Sequence, residues 1–241
     1  MGPADSAGQR DEREEEIAVS TRTPTISRIP LSALDVEASA QACLRRCTEK
    51  LGIKEIPIPV PVEQWIEGPL AIRFGVSDLS HLGKDVLGAA FISEGEIVVS
   101  ETLLSNDGRF RFTCAHELGH FILHQHLNQA FRDTDVEPGT RGDCEHEADR
   151  FGAAFLMPAT MVMREVFDIC AAHSLDPGRF MAALMESAPE TRTVWKRIML
   201  PAMTRKFGVS LSAAVFRFRE LVLPNGTPFI PAGQVQALLS K

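Results

Sequence analysis

Tyrosine is absent from the 241 residues, so no phenol is available as an acid, a nucleophile or a hydrogen-bond donor to a developing oxyanion. An excess of basic charge is missing too. Lys and Arg total 25 against 32 Asp and Glu, a net charge of −7, which excludes a protein whose main task is to coat nucleic acid. No apolar run approaches the roughly 18 residues of a membrane span. The N-terminus is polar and acidic, where a signal peptide would need a basic start and an apolar stretch. Cysteine is scarce and odd in number, five in all, which excludes a disulfide scaffold. Cys43, Cys47, Cys114, Cys144 and Cys170 read as small buried hydrophobes. These absences leave a soluble, cytoplasmic globular protein as the expectation.

What is present is ordered along the chain. Residues 5–16 carry six acids (Asp5, Asp11, Glu12, Glu14, Glu15, Glu16) against Arg10 and Arg13, and residues 1–28 show almost no apolar periodicity. They read as a disordered acidic tail. Val36, Ala40, Cys43, Cys47 and Leu51 recur at helical steps after Ser32, and Gly52 supplies a stop. The run Ile56-Pro57-Ile58-Pro59-Val60-Pro61 is an extended crossing segment, and a short helix is expected around Trp65. Strands are expected at 70–76, 86–92 and 96–99, the last two joined by a hairpin at Ser93-Glu94-Gly95. A helix is expected over 107–126, with Asn106 or Asp107 as its cap, then a polar loop over 127–142. Further helices follow at 143–157, 159–171, 176–187, 190–207 (interrupted at Pro201) and 211–221. The order of elements predicts an α+β fold with a small mixed sheet and a helical C-terminal region. The division read from the chain is a tail at 1–28, an α+β domain at 29–158 that holds the candidate chemistry, a helical, helix-turn-helix-like region at 159–222, and an arm or tail at 223–241.

The chemistry is concentrated in Cys114-Ala115-His116-Glu117-Leu118-Gly119-His120, which contains H-E-x-x-H. Four helical residues advance about 400°, so His116 and His120 lie about 40° apart on one stripe. Two imidazoles so placed can hold one Zn²⁺ while Glu117, about 100° round, reaches a water beside it as general base. With only 7 His in the chain, the spacing is specific. A catalytic zinc also needs a third protein ligand. One pattern would use His126, ten residues after the first His, but Leu123 stands where that pattern needs a Gly to turn the chain. The other takes a carboxylate from a second helix. Glu145 and Asp149 share a face at i and i+4, so Glu145 can ligate while Asp149 accepts a hydrogen bond from the far nitrogen of a ligand His. Glu147, on the opposite side of that helix, reads as facing solvent or the loop and is the fallback ligand. His124 reads as a packing or supporting residue.

The segments RFTCAHELGHFILH and EHEADRFGAAFLMP together resemble the ImmA/IrrE family of gluzincin-like zinc metallopeptidases. The likeness extends from IPIPVPVEQW to FGVSLSAAVFRFREL, about residues 35–222. It implies a zincin-like domain and a cytoplasmic endopeptidase that cleaves one or a few proteins, often a helix-turn-helix transcriptional repressor, in a stress or mobile-element response. By position it implies His116, His120 and Glu145 as metal ligands and Glu117 as catalytic base. Gly152 departs from the family's usual Ala, and the segment between Pro158 and Lys206 is an insert.

Two His and a carboxylate suit Zn²⁺, and Mn²⁺ as well. With Tyr absent, the oxyanion donor must be His, Arg, Lys or a backbone N–H, with His124 and His146 close by in sequence. The strands at 86–99 are expected to offer an edge to an extended peptide. The rival reading is a DNA-binding or protein-binding regulator that retains a metal site, with Lys206–Ser210 as the turn and Arg217 and Arg219 on the second helix.

Overall fold

The computed structural model describes residues 29–127, 130–134, 142–186, 189–223 and 225–230. The acidic tail read at 1–28 and residues 231–241 of the C-terminal arm lie outside them. Helix α1 (Ala33–Leu51) starts on a capping box: the Ser32 side chain accepts from Asp35 N while Asp35 reaches back to the Ser32 N–H. It ends at Gly52 in the left-handed region, φ 64°, the start and stop that the sequence predicts. α2 (Val62–Glu67) follows the proline segment and buries Trp65 and Ile66.

Strands β1 (Arg73–Ser77), β2 (Val86–Phe91), β3 (Glu96–Ser100) and β4 (Ala130–Thr134) form one sheet in the order β1-β3-β2-β4. β1 runs parallel to β3, and the other two pairings are antiparallel, so the sheet is mixed as expected. β2 and β3 are joined by the expected tight turn, with Gly95 at φ 67°. β4 was not expected: it lies inside the stretch read as a polar loop, and it pairs with the outer side of β2. That pairing corrects the expectation of a free edge at 86–99. β2 and β3 are both interior, and β1 and β4 are the edge strands.

Helix α3 (Asp107–Leu123), capped by the Asn106 side chain on Arg109 N, lies against β2 and β3 and carries H-E-x-x-H. It stops earlier than predicted, at Leu123, and His126 falls in a short, exposed 3₁₀ turn. α4 (Asp143–Leu156) packs against α3 along most of its length, and α1 covers another side of it. Nearly the whole second half of α4 is buried, which makes it the central helix of the fold.

The helical region comprises α5 (Ala159–Ala172), α6 (Pro177–Glu186), α7 (Pro189–Val194), α8 (Leu200–Phe207) and α9 (Leu211–Glu220). Its apolar side chains, Trp195, Met203, Phe207 and Phe216 among them, belong to the same buried cluster as α1, α3 and α4. The predicted break at Pro201 is displaced. A five-residue π-helical turn, Trp195–Met199, precedes α8, and Pro201 sits in the first turn of that helix. There its missing N–H costs no hydrogen bond, and the wider turn accommodates the ring. Residues 225–230 fold back, with Val222 bridged to Pro228 and Phe229 and Ile230 buried. Among the described residues no helix is long and apolar enough to cross a membrane.

Candidate metal centre

The crossing of α3 and α4 is tight because glycines sit on both sides of it. A Cβ placed on Gly119 would lie 3.1 Å from Ala148 Cα, and one on Gly152 would lie 3.1 Å from the His116 backbone nitrogen. The departure at Gly152 therefore has a local reason: a side chain there would press on the backbone of α3 at the first histidine of the motif.

At this crossing three donors converge. The Nε2 atoms of His116 and His120 are 3.1 Å apart, and Glu145 brings its carboxylate oxygens to 3.2 Å from His116 Nε2 and 3.4 Å from His120 Nε2. One ligand atom from each of the three lies within 4.8 Å of the others. Both histidines are fully buried, whereas the Glu145 side chain keeps 25% exposure, so the cluster opens to solvent on the α4 side. Burial drives the His120 imidazole down to about 4; the Glu145 carboxylate opposes this, and His116 and His124 push with it. Desolvation alone would raise Glu145, but its hydrogen bonds to His116 and His120 outweigh that and hold it well below the usual carboxylate range. At neutral pH the set is therefore a neutral imidazole beside an ionised carboxylate, the donor chemistry that a borderline divalent ion takes. The residues present fit a metal.

Behind the donors stand further contacts. His116 Nδ1 is 2.9 Å from Asp149 Oδ1, the arrangement read from the i, i+4 spacing of Glu145 and Asp149. Phe131 of β4 stacks on the His120 ring at 4.1 Å and 14°. Glu117 is fully buried beneath β2, at a point where a Cβ on Gly88 would come within 2.6 Å of Glu117 Oε1 and 2.7 Å of Thr113 Cγ2. An isolated Gly in an apolar strand signals such a close approach, so Gly88 was detectable in the sequence. Phe131 was not.

Over residues 70–219 the chain matches the peptidase family described as the IrrE N-terminal-like domain. The chain belongs to this family. No curated protein matches it. Membership in the IrrE-like peptidases, together with the His/His/Glu cluster, makes the protein a metal-dependent peptidase. The histidines weighed for other roles are placed elsewhere. His126 is exposed and outside the cluster. His146 turns toward α9, with Nε2 3.6 Å from Glu220 and its ring edge-on to Phe216. Glu147, expected toward solvent, is instead 1% exposed, because α1 and the Leu31 backbone close over that side of α4.

Proposed function

We propose that this IrrE-like protein is a zinc-dependent endopeptidase that hydrolyses a peptide bond in a specific intracellular protein, a helix-turn-helix transcriptional repressor being the substrate class that the family resemblance suggests. The observation that carries the reading is the convergence of His116, His120 and Glu145 on one point, with Glu117 one residue along the same helix. Those three residues hold the ion, Zn²⁺ before Mn²⁺ because two imidazoles outnumber one carboxylate. A divalent ion held there supplies Lewis acidity toward a carbonyl and makes water nucleophilic at neutral pH. Glu117 would serve as the general base, taking a proton from the attacking water and returning it to the leaving amine. Its burial under Gly88 holds the carboxylate still and keeps bulk water away from it. Asp149 holds the His116 ring by Nδ1, leaving Nε2 toward His120 and Glu145, where it would ligate an ion.

The DNA-binding reading loses its main residue. Arg217 is 2% exposed and gives both terminal nitrogens to Glu37 at 2.7 and 2.9 Å, so it is not available to a phosphate. The test is metal content of the purified chain beside three variants. About one equivalent of zinc is expected in the wild type, retained in Glu117→Gln and lost in His116→Ala and Glu145→Gln. Peptidase activity is expected to vanish in all three. Zinc unchanged in Glu145→Gln would sink this ligand set.

A further inference from the structure

Two residues beside the donor cluster have no part in the mechanism above, and their contacts form a chain. His120 Nδ1 is 2.9 Å from His124 Nδ1. His124 Nε2 is 2.9 Å from Glu147 Oε2. The second oxygen, Glu147 Oε1, accepts the Leu31 N–H at 2.6 Å. His120 and His124 are fully buried and Glu147 is 1% exposed, so water competes for none of these bonds.

The proton positions follow from the first link. If His120 gives its Nε2 lone pair to a metal, its single proton sits on Nδ1. That N–H must donate to His124 Nδ1, which therefore accepts. The proton of a neutral His124 is then on Nε2 and donates to Glu147. Glu147 receives one N–H on each oxygen, from His124 on Oε2 and from Leu31 on Oε1, so both of its oxygens act as acceptors in the chain. Each link fixes the next, and the order runs from the backbone of residue 31 to the ligand nitrogen.

We propose that Glu147 is a positioning residue that acts through His124 to hold His120 in the tautomer and orientation that bind the metal, anchored by the Leu31 N–H. The proposal rests on the reading of His120 as a ligand. It gives His120 a carboxylate support at one remove, where His116 has Asp149 directly. A packing role for the same buried pair would require bulk and charge balance but no particular tautomer.

Glu147→Gln separates the two roles, because it keeps the shape and offers one acceptor oxygen where two donors arrive. If the amide nitrogen faces His124, that ring must carry its proton on Nδ1 and meets the His120 N–H donor to donor. If it faces Leu31, the backbone N–H loses its acceptor. The readouts are Zn²⁺ affinity by chelator competition and the visible absorption of the Co²⁺-loaded full chain. Glu147→Gln is expected to weaken Zn²⁺ binding about 10–100-fold and to shift the Co²⁺ bands. His124→Phe is expected to do the same, and the double variant no more than either single one, since both break one path. Additive losses, or an unchanged Co²⁺ spectrum in Glu147→Gln, overturn the proposal while leaving the ligand set standing. Failure of the wild type to bind Zn²⁺ overturns the ligand reading and this proposal with it. Long-range ¹H–¹⁵N correlation of the histidines in the zinc-loaded wild type needs no variant that must fold. It is expected to show His124 protonated on Nε2, and a proton on Nδ1 instead overturns the relay.

Discussion

Gly88 sets the position of Glu117 from outside the helix that carries it. With no Cβ, β2 comes down onto the carboxylate; with a methyl there, atoms would meet at 2.6 and 2.7 Å, well inside van der Waals contact. The neighbour that can give is the end of the Glu117 side chain, since Thr113 is held in the helix. Gly88→Ala is therefore expected to push the carboxylate off its working position and lower kcat at least 10-fold, as a displacement on the order of 1 Å does in a positioned site. Zinc content and KM are expected to stay near those of the wild type. Loss of zinc in Gly88→Ala would mean that the strand supports the ligands and not the base. Residue by residue, the sequence was uneven in what it disclosed. H-E-x-x-H declared its own geometry, because a helix has one pitch and His116 and His120 can only share a stripe. Glu145 and Asp149 were legible for the same reason. Glu147 is not: from its angle to Glu145 it reads as facing water, whereas it is buried between His124 and the Leu31 backbone. The run from Phe151 to Leu156, apolar or small at every position, already marked α4 as a helix covered on several sides.

At the scale of elements, the centre depends on how closely α4 can approach α3. Gly152 faces the His116 nitrogen at 3.1 Å and Ala115 carbonyl carbon at 3.2 Å from where a Cβ would stand. Both are backbone atoms and cannot swing aside. Gly152→Ala gains about 1 kcal/mol in helix propensity and loses about 1–3 kcal/mol to overpacking. The second effect is expected to win, because relief requires the helices to part by a few tenths of an ångström. The variant is expected to unfold at a lower temperature and to bind Zn²⁺ more weakly, since Glu145 rides on the helix that moves. A Gly152→Ala protein that is more stable with unchanged zinc affinity would show that the crossing has slack. The same scale explains why β4 escaped the sequence. Ala130-Phe131-Arg132-Asp133-Thr134 has only two strand formers, Phe131 and Thr134, and no apolar alternation; its strand is made by pairing with β2. Pairing partners distant in sequence leave no local trace. The π-helical turn before Pro201 is a similar case: the proline announced an irregularity, but the irregularity lies one turn earlier, at Trp195–Met199.

At the scale of the whole molecule, a buried ion pair joins the first and last helices among the described residues. Arg217 of α9 grips Glu37 of α1 with two nitrogens and donates its Nε to the Met157 carbonyl at 2.8 Å, at the end of α4. Their side chains are 3% and 10% exposed. This contact ties the helical region to the element that supplies Glu145. It also explains why a sequence reading could mistake Arg217 for a DNA contact: a basic residue late in an amphipathic helix looks solvated until its partner, 180 residues away, is known. Removing one member leaves the other charged, buried and without its counter-ion, at a cost of about 3–5 kcal/mol. Replacing both with apolar groups removes that penalty along with the attraction, and such swaps are often neutral. Arg217→Met is accordingly expected to lower the unfolding free energy in urea by about 3–5 kcal/mol. The Glu37→Met, Arg217→Met double variant is expected to recover about half of the loss, since the bond to the Met157 carbonyl, worth roughly 1.5–3 kcal/mol to a charged donor, stays broken. If the pair serves only to close the chain, the double variant binds zinc as the wild type does. Zinc affinity that falls with Arg217→Met and stays low in the recovered double variant would show that the pair also holds α4, and Glu145 with it, at its distance from α3.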